Sequence, residues 1–113
     1  MERYLISFDD GAMDHVPDDA LSEVGAAVHA VVQAAKDAGV WIFGAGVERQ
    51  QATVVAVDGS VSTRPSPESK AVVGGFSIVE VPSREVALEW AARLARACRC
   101  AQEVREIGFD PRS

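Results

Sequence analysis

His29 is the side chain whose type and position best suit acid–base chemistry. The apolar residues from Leu21 to Ala35 recur at the three- and four-residue spacing of a helix that is buried on one side. His29 lies about 115° around that helix from the centre of the apolar stripe, at the boundary with solvent. An imidazole exchanges protons near neutral pH, and an adjacent carboxylate would orient it as a general base. A boundary histidine hydrogen-bonded to the backbone fits the same position.

Three other groups of residues suit a ligand site. Asp9 and Asp10 follow the apolar run Arg3–Phe8, where they offer carboxylates but also suit a turn before Gly11. In the Pro-rich segment Ser62–Ser69 and just beyond it, Glu68 and Lys70 could form a lid over a cleft or a surface ion pair. Aromatic residues on predicted central strands suit a core, a dimer interface or a ligand wall; they are Trp41, Phe43 and Phe76.

The composition excludes several classes of protein. Seventeen acidic residues against eleven basic ones give a net charge of −6, which argues against a nucleic-acid partner. The two histidines and the close pair Cys98 and Cys100 have no metal-ligand spacing, and no Gly-x-Gly-x-x-Gly precedes a helix. We therefore expect neither a metal nor a cofactor.

The sequence has no sign of a membrane segment. The first fifteen residues lack the basic run and apolar core of a signal peptide. No apolar stretch approaches the roughly 18 residues that a transmembrane helix needs. We expect a cytoplasmic protein without a membrane partner.

The order of predicted elements indicates one α+β domain over residues 1–108, with a tail at 109–113. Two β-α-β units flank a hairpin at Asp58-Gly59, and Ser83 is a good N-cap for the second helix. This order predicts a ferredoxin-like split βαβ fold with an inserted hairpin. Right-handed crossovers would place both helices on one face of the sheet. Asp18 and Asp19 are expected to cap or begin the first helix.

The second predicted strand, Val40–Glu48, is apolar at odd and even positions alike, which predicts burial on both faces. Its alternation would place either Val40 and Ile42 or Trp41, Phe43 and Val47 on the face without helices. A monomer would expose that face as an apolar patch. We therefore expect a homodimer that pairs its sheets.

Nearly the whole chain, from Arg3 to about Gly108, resembles the YCII-related family, also called the DGPF-domain family. The segments that carry the resemblance are KDAGVWIFGAGVE, the Asp58-Gly59 hairpin, PSPESKAVVGGFSIVEVPSREVALEWAARLA and CRCAQEVREIG. Where the family has Asp-Gly-Pro-Phe, this chain has Thr63-Arg64-Pro65-Ser66, whereas the Glu and Lys that follow remain as Glu68 and Lys70.

The resemblance implies a dimeric α/β barrel and two alternative functions. Some relatives form a site from a histidine on the first helix and an aspartate near the end of the first strand, which here match His29 and Asp9 or Asp10. This implies a cofactor-independent lyase or isomerase acting on a small molecule. Other members lie beside alternative sigma factors, which implies a non-catalytic metabolite-binding or sigma-factor-associated regulatory module. Both functions stay open.

Overall fold

A computed structural model describes residues 1–63 and 73–113 of the chain. In this part of the chain the fold is α+β with antiparallel sheets, as the sequence predicts. Its strands and α-helices are β1 (Glu2–Asp9), α1 (Leu21–Asp37), β2 (Trp41–Gly46), β3 (Val54–Val55), β4 (Val61–Ser62), β5 (Val73–Val81), α2 (Arg84–Cys98) and β6 (Glu103–Glu106).

Four strands form the main sheet in the order β2-β5-β1-β6, and each neighbouring pair is antiparallel. The inserted hairpin is a separate two-stranded sheet of β3 and β4, shorter than the run of apolar residues suggests. Gly59, at φ +87°, makes its turn, as the Asp-Gly pair predicts. The described part of one chain leaves the main sheet open, with β2 and β6 at its edges.

The core lies between the main sheet and the two helices. Tyr4 and Ile6 of β1 are fully buried, and Val79 and Val81 of β5 lie beside them. The apolar residues that recur at helical spacing along α2 are all buried; they are Ala87, Trp90, Ala91, Leu94 and Cys98. Arg93 places its guanidinium 4.3 Å from the centre of the Trp90 ring and covers the outer side of this core.

At two helix ends the residue that ends or caps the helix is of the type favoured there, and at a third end the expected cap is absent from the described structure. Ser83 caps α2 by accepting a hydrogen bond from the Val86 amide, at 3.4 Å. Gly39 follows α1 with φ +73°, in the left-handed region that suits glycine at a helix end. Of the two roles expected of Asp18 and Asp19, capping of α1 is wrong, whereas both are acids in the first turn of the helical segment that leads into α1. Both lie in a short 3-10 turn, and the residue that precedes α1 is Ala20, which has no side-chain acceptor.

The predicted distribution of β2 residues between the two faces of the sheet is wrong, because β2 contains a β-bulge. Trp41 pairs with Val79, but Phe43 pairs with Ile78, only one residue further along β5, so Ile42 is the extra residue of the bulge. Trp41 therefore packs against the core, whereas Phe43 is 56% exposed. Trp41 and Phe43 do not share a face as strict alternation requires, and β2 is not buried on both faces within one chain.

The face of the sheet opposite the core is apolar at its centre. The register aligns Leu5, Ile78 and Phe43 across three strands, and these residues alternate with core residues along β1 and β5. The Phe43 and Phe76 rings lie 5.8 Å apart between centroids. Towards one end of this face Arg3 forms a 2.8 Å ion pair with Glu80. We name this surface, made by Leu5, Phe43, Phe76 and Ile78, the open face.

Within residues 1–63 and 73–113, neither helix is long and apolar enough to cross a membrane.

Candidate functional site

A cavity of about 370 Å³ lies between α1 and the main sheet, and α2 closes its inner end. We call it the α1 cavity. Val28 and Val32 of α1 and Leu94 of α2 form part of its apolar wall, and the exposed residues His29 and Lys36 border it on the solvent side. Neutral polar groups border it as well; they are Ser77, Cys98 and Gln102. Its size and mostly apolar lining are typical of a small-molecule site.

Two aromatic rings of the cavity wall pack closely against glycines of the sheet. A Cβ added to Gly44 would lie 2.7 Å from Cη2 of the Trp41 indole, and one added to Gly75 would lie 2.5 Å from Cζ of Phe8. Real Cβ atoms do not approach other atoms so closely, so any larger residue would displace these rings. The close packing at Gly44 and Gly75 therefore shapes the α1 cavity directly.

His29 borders the α1 cavity but has no orienting partner in the described part of the chain. Its imidazole makes no hydrogen bond or ion pair there, and no carboxylate oxygen of these residues lies within 4.0 Å of its nitrogens. Asp9 borders a second cavity instead, together with His15 and Cys100. Phe8 contributes to both cavities. The structure thus brings His29 and Asp9 to neighbouring cavities without direct contact.

Asp10 is held by an arginine. The Arg49 guanidinium donates to Asp10 at 3.1 Å and to Asp14 at 2.7 Å. Hydrogen bonds to Asp14 and Asp10 raise the pKa of Arg49, so the guanidinium stays charged. This cluster ties the loop after β1 to the segment after β2. The Asp10 carboxylate is therefore engaged, whereas in the described part of the chain the Asp9 side chain makes no hydrogen bond or ion pair.

The residues predicted to bind a ligand fall in different places. Trp41 borders the α1 cavity, and Phe76 also contributes to its border although its ring contacts Phe43 on the open face. Phe43 lies on the open face, where it contacts Phe76, and is not among the residues that border this cavity. Glu68 and Lys70, together with the predicted lid, lie outside the described residues.

The structure adds residues that the sequence did not single out. Phe8 gives the cavity an aromatic wall, and Met13 reaches it from the loop after β1. Lys36 borders it seven residues after His29, and two helical turns place these side chains on the same side of α1. The seven-residue spacing from His29 is the feature of the sequence that could have identified Lys36 as a cavity residue. Among the described residues, no group of three or more His, Cys, Asp or Glu side chains could hold a metal ion.

The thiol at the inner end of the cavity should make stability depend on alkaline pH. Burial, and to a smaller extent Cys100, raises the pKa of Cys98 from 9.0 to about 11. The folded state therefore keeps a proton that the unfolded state loses, so this contribution to stability is full below pH 9 and is lost as pH rises to about 11. Urea unfolding should show a shallower decline across this window in Cys98→Ala than in the unchanged protein. Equal slopes would contradict this.

The fold and the cavity define a small α+β protein with an apolar pocket between its first helix and its sheet. The sequence profile of the YCII-related domain matches residues 4–108, which is nearly the whole chain. The protein belongs to the YCII-related domain family. No curated protein matches the chain in sequence.

Proposed function

We propose that this YCII-family protein binds a small organic molecule in the α1 cavity and works as a homodimer. The observation that carries the proposal is the cavity itself. It is apolar, its aromatic walls depend on two glycines, and its rim holds a side chain that can transfer protons. The ligand is proposed to enter past His29 and Lys36.

The dimer is proposed from the open face. The strand order β2-β5-β1-β6 with antiparallel neighbours is the one expected of a ferredoxin-like split βαβ fold. Such a sheet carries its helices on one side and needs cover for an apolar second side. A second copy that packs sheet to sheet would cover Leu5, Ile78 and Phe43 and would build a dimeric α/β barrel.

Filling the cavity should weaken ligand binding without unfolding the protein. Val28→Phe and Val32→Phe each add a ring to the cavity wall, whereas Ala30→Phe adds the same ring at an exposed position of α1 outside the wall. We expect calorimetric titration with neutral 2-naphthamide to show saturable binding to the unchanged protein and Ala30→Phe. Both valine variants should bind at least about tenfold more weakly, because a filled pocket excludes the ligand. Equal affinities in all four proteins would place the ligand elsewhere.

A catalytic role is proposed for His29 as a general base in a lyase or isomerase reaction without a cofactor. The imidazole, which has no hydrogen bond or ion pair to the residues that the structure describes, lies at the cavity rim where a ligand would meet it, and this supports the role. An aspartate would have to approach it when the ligand binds, and Asp9 is the better candidate because Arg49 holds Asp10. Within residues 1–63 and 73–113, no carboxylate oxygen lies within 4.0 Å of the His29 nitrogens, and this supports the alternative, a non-catalytic metabolite sensor or sigma-factor-associated regulatory module.

Proton exchange separates these two functions. The probe is 1-indanone, a flat ketone whose C2 protons exchange slowly with deuterium oxide and can be followed by proton NMR. A catalytic site should accelerate the exchange by about a hundredfold or more, the usual contribution of a general base, and His29→Gln should remove the acceleration. Asp9→Asn should slow it, and Asp10→Asn should change it little. Binding of indanone without any acceleration would favour the sensor.

A further inference from the structure

We propose that the ligand of the α1 cavity is a carboxylate with a flat apolar body, and that Lys36 binds its anionic head group. This inference rests on the proposed ligand-binding function of the same cavity and adds the chemical class of the ligand. Its basis is the distribution of charge around the cavity together with the shape of its walls.

The lining of the cavity differs in charge from the rest of the chain. The sequence has 17 acidic and 11 basic residues and a net charge of −6. Among the described residues, 15 border the cavity and none of them is Asp or Glu, although two of them, His29 and Lys36, can carry positive charge. The buried Cys98 thiol stays neutral near pH 7. A negative group would therefore find positive charge at the rim and no carboxylate among the wall residues that the structure describes.

Lys36 is available to bind that group. It is exposed in the last turn of α1, and in the described part of the chain its ammonium makes no hydrogen bond or ion pair. An ammonium offers three donors on a flexible stem, so it can reach a head group at the cavity mouth. Lys36 is therefore assigned as a binding residue rather than a proton-transfer residue.

The walls favour a planar apolar body behind the head group. The Trp41 indole packs closely against Gly44, and the Phe8 ring packs closely against Gly75, so two aromatic side chains border the same space. Aromatic rings pack well against other flat groups. Val28, Val32 and Leu94 supply the remaining apolar surface. The combination fits an aromatic or unsaturated alicyclic acid better than a sugar or a polyphosphate, which would need many more polar partners.

Matched acids and amides test the inference by calorimetry at pH 7.5. The probes are benzoate with benzamide and 2-naphthoate with 2-naphthamide, so each pair differs mainly in the charge of its head group. The unchanged protein should bind the acid of a pair about tenfold more tightly or better, the range for hydrogen bonds to charged groups. Lys36→Gln should reduce this preference to less than about threefold and leave the amide affinity unchanged. Lys36→Arg should restore much of it.

Arg96→Gln is the control, because it removes an exposed positive charge from α2 at a position that does not border the cavity. It should keep the preference for acids, and thermal unfolding should show that all variants are folded. Equal binding of acid and amide, or an unchanged preference in Lys36→Gln, would overturn the inference while the cavity remains the ligand site. Failure of all four probes to bind would instead count against the α1 cavity as a ligand site, and this inference would fall with it.

Discussion

Replacing Ile78 with glutamate should convert the protein from a particle of twice the chain mass to one of 12.0 kDa at micromolar concentration. Ile78 lies at the centre of the open face, where its register partners are Leu5 and Phe43. In a sheet-to-sheet dimer the new carboxylate would be buried without a partner in both subunits. An unpaired buried charge costs roughly 3–5 kcal/mol, which weakens dimerisation by more than a hundredfold.

Val57→Glu is the matched control, because it places the same charge on a fully exposed apolar residue of the hairpin turn. This variant should remain a dimer in light scattering. A mass of 12.0 kDa for the unchanged protein at micromolar concentration would contradict the proposed dimer. An unchanged dimer in Ile78→Glu would show that the open face is not the interface.

Adding a methyl group to the glycines of the sheet should destabilise the fold in a graded order. The Cβ of Gly74→Ala would lie 2.7 Å from the Asp9 carbonyl oxygen and 3.1 Å from the Asp10 Cα, so backbone must move. Gly75→Ala meets mainly the Phe8 ring, which can rotate at some cost. Overpacking costs roughly 1–3 kcal/mol, and we expect Gly74→Ala at the upper end and Gly75→Ala below it.

Gly46→Ala provides the reference for this series, because among the described residues no atom beyond Gly46 and its two chain neighbours lies within 4 Å of its added Cβ. Its free energy of unfolding should change by less than about 0.5 kcal/mol, as for an unhindered surface position. Urea unfolding of the three variants measures the order. Equal losses for Gly46→Ala and Gly74→Ala would show that the close approach of β5 to the end of β1 does not constrain the sheet.

Local sequence patterns predicted most of the helices, strands and turns, because the interactions that form them join residues only a few positions apart. The spacing of Ala87, Trp90 and Leu94 identifies the buried side of α2, and Ser83 begins that helix by bonding to a backbone amide three residues on. The turn at Gly59 follows from its freedom to adopt positive φ. Such features depend little on the rest of the fold.

Contacts between distant residues were harder to predict. The bulge at Ile42 depends on how β2 pairs with β5, and it moves Trp41 to the cavity and Phe43 to the open face. The ion pair between Asp10 and Arg49 joins residues 39 positions apart, so no local spacing indicates it. The sequence placed His29 at the boundary between the buried side of α1 and solvent. Whether a carboxylate lies beside it depends on the position of the loop after β1, which no local pattern indicates.

The most direct test of the α1 cavity as a ligand site uses the two tryptophans of the chain as reporters. Trp41 borders the cavity, whereas Trp90 lies in the core and does not border it. Protein labelled with 5-fluorotryptophan should give two fluorine NMR signals, which Trp90→Phe assigns. Titration with 2-naphthoate and 2-naphthamide should produce a saturable shift of the Trp41 signal and little change in the Trp90 signal. A Trp41 signal that stays in place while either compound binds would contradict the α1 cavity as the binding site.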